Sequence, residues 1–534
     1  MIKPQAEHFC ILGGGTAGWM TALLFQRAFS QARITLIESS SVGTIGVGEG
    51  STPALKSFFD AVDIAESDWM PRCGATYKSG ITFHGWSTTP GFEHYFHPFL
   101  SHFDRDHIKA LQFNSLLRRS GRDVHAHPDM FCYSHYLAER QLCPRAPYSF
   151  PFEVQYGYHF NAGLLGAYLK ELALERGINW QDSLVESVEH SSNGDLTALV
   201  TDTGERLMAD FFVDCSGFAS ILTEKALGIG WQSYDDSLFN DRAVTIGTEA
   251  ESVVSTQTTA TALRNGWAWH IPQQDRVGNG YVYSSRFCTE EEATRELAEH
   301  LGLDPDGVQA RHIRFRTGRV ESVWNRNTLA VGLSQGFLEP LEATALALVQ
   351  LTIARFVSYY RAGGHSDQYR DHLNREVAEA YDGVKNYIHT HFLLSDRDDS
   401  EYWRACRSNA KAISPELKRV IETWFARGDL AAVLQETGLG KHYKINSWLY
   451  ILAGMGVFPP AAKLSSPEDS EASKVPLDDI STFFERLTKN HMSQAEAFAL
   501  LEAGQIPEAD ERLPSDGNAL EQLLGLEIGI SAAT

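Results

Sequence analysis

Phe9-Cys10-Ile11-Leu12-Gly13-Gly14-Gly15-Thr16-Ala17-Gly18 is the stretch that decides the fold class. Four apolar residues followed by glycines predict a buried strand ending in a turn. Trp19 to about Phe29 then predicts a helix, and Ile34-Thr35-Leu36-Ile37 a second strand that ends at Glu38. The glycines have the GxGxxG spacing, and Glu38 lies 20 residues past the last of them. Strand, glycine turn, helix, strand and acid together predict a dinucleotide-binding start. Gly13 permits the tight turn, Gly15 lets the backbone approach a pyrophosphate, and Gly18 lets helix and strand pack. The helix N-terminus, at Thr16 and Ala17, offers free N–H groups to phosphate. Glu38 can accept from a ribose hydroxyl.

Working outward, 534 residues are enough for a large core, and 43% hydrophobic content is that of a globular chain. The net charge of −22 argues against nucleic acid, which calls for a basic surface. No run of about 18 apolar residues predicts a membrane span. The N-terminus lacks the basic start, long apolar stretch and cleavage site of a signal peptide. The seven cysteines, at 10, 73, 132, 143, 215, 288 and 406, are scattered without a CxxC pair. A reduced, cytoplasmic chain is the expectation.

The organisation reads as α/β. Residues 60–151 are rich in aromatics and histidines with no clean period, and predict an irregular insertion. Tyr158-His159-Phe160-Asn161 restores regular structure before a helix from Leu164 to Arg176, stopped at Gly177. Val185–Val188, Thr197–Asp202 and Arg206–Met208 predict antiparallel strands, with turns at Asn193-Gly194 and Thr203-Gly204. Asp214-Cys215-Ser216-Gly217 ends another buried strand. Thr328–Gly332 predicts one more, and a long helix starts near Leu341. From Leu373 onward the pattern is mainly helical, broken at Pro459-Pro460 and by the polar run Ser465–Ser473. The expected division is a core over 1–372 and a helical C-terminal part over 373–534.

Several segments carry chemistry. In Gly266-Trp267-Ala268-Trp269-His270-Ile271-Pro272, residues two apart on a strand share a face, so Trp267 and Trp269 make a rigid aromatic wall. Ile45-Gly46-Val47-Gly48-Glu49-Gly50 is a glycine-rich loop after the second strand. Tyr77-Lys78-Ser79-Gly80-Ile81 sets a lysine among apolar residues; burial of such an amine lowers its pKa and leaves part of it neutral. Phe337-Leu338-Glu339-Pro340-Leu341-Glu342-Ala343-Thr344-Ala345 opens the long helix with a proline and two acids. His84, His94, His97, His102 and His107 cluster in sequence, yet show no HExxH or facial-triad spacing, so no metal site is expected.

Taken in order, GGGTAGWM, GVGE, YKSGI, HPF, YHFNA, DCSGF, DRAV, WAWHIP, YVYSS, GFLEPLEAT and RDDSEYW resemble the flavin-dependent halogenases of the tryptophan-halogenase type. The resemblance runs from about Phe9 to Trp403. It implies the aromatic-hydroxylase-like flavoprotein fold: a Rossmann-like FAD-binding part, an antiparallel substrate-side sheet and a helical C-terminal part. It implies FADH2- and O2-dependent halogenation, by bromide or chloride, of an electron-rich aromatic such as indole or tryptophan, through hypohalous acid. Lys78 and Glu342 are then the catalytic pair. Gly13, Gly15, Thr16, Ala17, Gly18, Glu38, Val47, Gly48, Glu49 and Leu333 hold FAD. The N–H groups of Thr344 and Ala345 hold the halide. His97, Pro98 and Phe99 hold the substrate, and Trp267 and Trp269 separate it from the flavin. The FAD would arrive reduced from a separate flavin reductase, since no second GxGxxG offers a nicotinamide site. A homodimer is compatible with the resemblance.

The chain departs from the family pattern FxxPxxSxG. Ala343 stands in place of Ser and Ala345 in place of Gly. Alanine keeps the N–H but adds a methyl group and resists positive φ. The departure predicts a halide pocket suited to bromide or iodide over chloride, because larger halides are less strongly hydrated. It leaves open an aromatic monooxygenase without halide use, and a flavin-binding protein without catalysis.

Overall fold

A computed structural model describes residues 6–43, 48–146, 150, 152, 154–465, 475–505 and 519–525. The opening strand, His8–Leu12, lies inside a six-stranded sheet. Across that sheet run Trp324–Asn325, Thr328–Ala330, Phe211–Asp214, His8–Leu12, Arg33–Glu38 and Asn179–Asp182. All neighbours are parallel except the pair formed by Trp324–Asn325 and Thr328–Ala330. The helix Thr16–Ala28 follows the first strand, started by Gly15 in an extended conformation and carrying Arg27 in its last turn, where a cation suits the helix dipole. Phe9 packs on Phe25, Phe29 and Phe211 with ring centroids 5.0–5.8 Å apart, and Phe25 stacks on Phe356 of the long helix Ala345–Ala362 at 5.6 Å. Each such ring contributes about 1.5–3 kcal/mol by burial. This cluster ties the first strand and its helix to the helix Ala345–Ala362.

A second sheet of seven strands runs Arg311–Arg314, Arg242–Glu249, Arg276–Tyr283, Gly266–Pro272, Gln257–Leu263, Gly80–His84 and His94–Pro98. It is antiparallel apart from the parallel pair Gln257–Leu263 and Gly80–His84. The last two strands correct the expectation of an irregular insertion over 60–151. That region supplies one whole edge of the sheet and a 16-residue helix, Asp104–Arg119. Its period was hidden because both faces are covered: Ile81, Phe83, Tyr95 and Phe96 are all buried although neighbours face opposite ways.

A third, small sheet brings two of the sequence motifs together. Gly157–Asn161 is its centre, with Gly48–Gly50 on one side and Thr76–Lys78 on the other. Gly50 and Thr76 both pair with His159. The glycine-rich loop therefore leads directly into the sheet that carries Lys78; Val47 lies outside the described residues.

From Leu373 onward the described chain is helical, as the pattern predicts. The 25-residue helix Arg370–Leu394 has position 372 in its first turn and runs back into the core. Among the described residues no helix is long and apolar enough to cross a membrane.

Candidate active site

At the nucleotide end, Gly13 has φ +114°, and a Cβ there would stand 2.1 Å from the Cys215 carbonyl oxygen. A Cβ on Gly18 would stand 1.9 Å from the Gly13 oxygen, so only glycine lets helix and strand approach this closely. Gly15 is different: nothing lies within 4 Å of where its Cβ would be. The turn thus presents bare backbone and the N-terminus of Thr16–Ala28 to open space, which is the cradle a pyrophosphate fits. Ala17 abuts Gly332, beside Leu333 in the turn Gly332–Ser334. Glu38 ends its strand beside Gly14, and its Oε1 accepts from Lys170 Nζ at 2.7 Å and Trp180 Nε1 at 2.9 Å. Asp214 is buried and structural: it accepts from the Ser216 and Ser334 hydroxyls and from the N–H groups of Leu222 and Thr223.

Lys78 sits at the far end of the small sheet, fully buried, and its Nζ has no hydrogen-bond partner. It lies 5.5 Å above the ring centre of Phe99. Burial pushes its pKa down to about 7, against the charge of Glu342, which raises it. His159 is buried beside it, bridging Thr76 Oγ1 at 3.2 Å and Thr258 Oγ1 at 2.9 Å. Burial, and then the charge of Lys78, hold His159 neutral. Gly80 follows Lys78 for a steric reason: a Cβ there would meet the His97 oxygen at 2.4 Å, so the two edge strands could not close.

Glu342 is buried and fixed from both sides. Its Oε2 accepts from His97 Nδ1 at 2.8 Å, and its Oε1 accepts from His391 Nε2 at 2.8 Å. The Tyr95 hydroxyl in turn donates to His391 Nδ1 at 2.8 Å, which fixes that ring as the neutral Nε2–H tautomer. Burial alone would raise the Glu342 carboxyl. The His97 charge and the hydrogen bonds from His391 and His97 outweigh it and hold the pKa at about 2. Tyr95 comes from the sheet edge, Glu342 from the turn before a helix and His391 from the helix Arg370–Leu394. The His97 ring also faces Tyr387 at 5.9 Å and Tyr450 at 6.0 Å, and Tyr387 stacks on Tyr443 at 3.6 Å. The structure therefore gathers Lys78, Phe99, Glu342 and His97 with the rings of Tyr387, Tyr443 and Tyr450; Pro98 ends the strand that carries His97.

Trp267 and Trp269 project to one face of the strand Gly266–Pro272, ring centres 6.2 Å apart. Trp269 lies over Gly280, where a Cβ would stand 2.1 Å from its ring. Trp267 Nε1 donates to Glu339 Oε2 at 2.7 Å, and Asn240 Nδ2 donates to the same oxygen at 2.9 Å. Burial pushes the Glu339 carboxyl up to about 7 against these bonds. Glu339 thus fastens the wall to the turn that carries Glu342.

Thr344 is buried and starts the helix Ala345–Ala362; Ala345 is exposed at its first position. The first N–H groups of a helix have no partner within it and suit an anion. The left-handed conformation falls on Ala343 (φ 55°, ψ 33°) and not on Ala345. The departure from glycine at 345 carries no backbone strain, while the alanine at 343 costs about 1 kcal/mol. No group of three or more His, Cys, Asp or Glu able to hold a metal occurs among the described residues.

Tyr95, His391, Glu339, His159 and Tyr387 escaped the sequence reading. His389-Thr390-His391 in an apolar helix was the one available signal, two imidazoles where a leucine is the ordinary choice.

The family model of tryptophan halogenase matches residues 8–467. The tryptophan 6-halogenase SttH of Streptomyces toxytricini is 34% identical, over 94% of this chain and 99% of its own. The 7-chloro-L-tryptophan 6-halogenase KtzR of Kutzneria sp. (strain 744) is 36% identical over 78% of this chain and 84% of its own. Among solved structures, SttH superposes with a TM-score of 0.78 at 33% identity, covering 93% of this chain and all of that one. The flavin-dependent halogenase Xcc4156 of Xanthomonas campestris superposes with a TM-score of 0.79 at 30% identity, covering 93% of this chain and 98% of that one. A family match over most of the chain, with relatives above 30% identity along nearly their full length, shows that the chain belongs to the tryptophan halogenase family and is a flavin-dependent halogenase.

Proposed function

We propose that the chain halogenates an electron-rich aromatic such as indole or tryptophan, using FADH2, O2 and bromide or chloride. The observation that carries this reading is Lys78: a buried amine without a partner, beside a carboxylate held ionised by two imidazoles. Gly13, Gly15, Thr16, Ala17 and Gly18 would hold the FAD pyrophosphate, with Glu38 at the ribose and Gly48, Glu49 and Leu333 further along. When bound, reduced FAD with O2 and a halide supplies hypohalous acid.

Lys78 then receives the halogen. A neutral amine attacks the halogen of HOX, forming N–X and releasing water, and an electron-rich ring carbon takes the halogen from nitrogen. The ring loses one proton and the amine regains it, so the enzyme returns unchanged. A pKa near 7 leaves a large share of the amine neutral at neutral pH. Glu342, with a donor on each oxygen, stays ionised and stabilises the positive charge that develops on the ring. His97, hydrogen-bonded through Nδ1 to Glu342 Oε2, holds that carboxylate in place. Phe99, His97, Tyr387 and Tyr443 offer flat faces to a planar substrate. Trp267 and Trp269 would keep that substrate from the flavin.

Aerobic reactions with FAD, a flavin reductase and NADH test the reading. Indole and tryptophan are supplied in parallel, each with chloride or bromide, and products are read by mass spectrometry. A halogen isotope pattern is the expected result. A product heavier by one oxygen, with halide present, overturns it in favour of a monooxygenase.

A further inference from the structure

The strand Thr76–Lys78 is an edge of its sheet. Its residues 76 and 78 pair inward with His159 and Gly157. Tyr77 lies opposite Tyr158, whose own N–H and carbonyl are both engaged with Ser51 on the other side. The backbone N–H and carbonyl of Tyr77 therefore point outward, one residue before the amine, in a wholly buried place. An unpaired peptide group there would be desolvated without a partner and leave the strand free to shift.

A side chain 417 residues away fills the position. Gln494 is buried, and its Oε1 accepts from the Tyr77 N–H at 2.9 Å while its Nε2 donates to the Tyr77 carbonyl at 3.2 Å. The second Nε2 hydrogen goes to the Ser255 carbonyl at 3.0 Å. The next residue, Thr256, accepts from the Ser79 N–H at 2.7 Å. One primary amide thus acts as a missing strand residue and ties both sides of Lys78 to the same loop. Its helix, Gln494–Glu502, is started by a capping box between Ser493 and Glu496 and stacks Phe498 on the Tyr77 ring. At the tip of the same ring the Tyr77 hydroxyl donates to Glu66 Oε2 at 3.0 Å. Gln494 lies beyond residue 467, where the family match ends.

We propose that Gln494 is a positioning residue for Lys78, its amide pinning the backbone at Tyr77 so that the amine is held in place over the Phe99 ring and beside Gly50. The inference rests on Lys78 being the halogen-transferring group. A segment outside the family match thereby completes a site whose proposed reacting residues all lie within it.

The test uses the full-length protein with Gln494→Leu, which keeps the volume and loses all three bonds, and Gln494→Glu. Two readouts are taken: steady-state halogenation, and the pH dependence of Lys78 labelling by acetic anhydride, read by peptide mass spectrometry without flavin. The leucine variant is expected to lose about ten- to a hundredfold in kcat with little change in KM, as for a misplaced reacting group, and to titrate Lys78 at a shifted pH. The glutamate variant is expected to approach the parent at low pH, where its protonated carboxyl both donates and accepts, and to fall away as pH rises and the carboxylate faces two carbonyls. A leucine variant that only melts earlier, with kcat and Lys78 labelling unchanged, overturns the proposal. So does a glutamate variant whose activity relative to the parent is flat with pH, which covers the case in which leucine does not fold. Halogenation that survives Lys78→Ala would sink the catalytic reading, yet the labelling would still decide whether Gln494 positions the amine.

Discussion

Gly50 and Lys78 approach each other across the strand Gly157–Asn161: Gly50 pairs with His159, Lys78 with Gly157, and a Cβ on Gly50 would stand 3.1 Å from Lys78 Nζ. The end of the glycine-rich loop and the Lys78 amine are neighbours in space, 28 positions apart in sequence.

Gly50→Ala should therefore crowd the amine without straining the backbone, since its φ is not in the left-handed range. Halogenation is expected to drop about tenfold or more, while FAD titration by fluorescence gives an unchanged affinity. Equal activity in the variant would place Nζ away from Gly50.

The lowered pKa of Lys78 makes a stability prediction. The group is a base whose folded pKa, about 7, lies below its ordinary 10.5, so the unfolded chain binds the extra proton between those values. Stability rises with pH across pH 7 to 10.5 in the parent. Lys78→Met removes this dependence: the variant should be more stable by a few kcal/mol below pH 7, and the gain should shrink toward nothing as pH approaches 10.5. Thermal unfolding at pH 6, 8 and 10 reads it.

Glu342 gives the same direction of pH dependence in a more acid window. Its folded pKa of about 2 lies below the ordinary 4.5, so it contributes stability that is present above pH 4.5 and is lost as pH falls toward 2. His391→Phe removes one donor and leaves the Tyr95 hydroxyl without its acceptor. It should cost about 1.5–3 kcal/mol at pH 7 and shrink the acid-side loss, which still begins near pH 4.5 but ends at a higher pH. A parent-like acid unfolding curve would show that His391 does not hold the carboxylate.

At the helix start, Ala345 offers its N–H behind an exposed methyl group. Bromide should be used better than chloride. Ala345→Gly should move the kcat/KM ratio toward chloride by about two- to fivefold, the effect of about 0.3–1 kcal/mol of anion–helix interaction. Competition between the halides, read by product mass, checks both.

The nucleotide end was legible in the sequence because its constraints are local: Gly13, Gly15 and Gly18 act within one turn, and Glu38 ends the next strand. Trp267 and Trp269 were legible for the same reason, since alternation alone sets their common face. The Glu342 carboxylate was visible in its motif, but its partners were not. Tyr95, His97 and His391 reach it from a sheet edge and a helix 245 and 49 positions away from it at the hydrogen-bonded contacts of His97 and His391. No periodicity encodes that meeting. The edge strands Gly80–His84 and His94–Pro98 were hidden because both their faces are buried. Gln494 was invisible because it replaces a backbone partner with a side chain.

The most direct measurement compares bromide-dependent product formation from the parent, Lys78→Ala and Lys78→Met, each given reduced FAD and O2 at matched protein and flavin occupancy. The account predicts brominated product from the parent, and from neither variant, with flavin oxidation by O2 continuing in all three. Brominated product from either variant at the parent's rate would contradict the assignment of halogen transfer to Lys78.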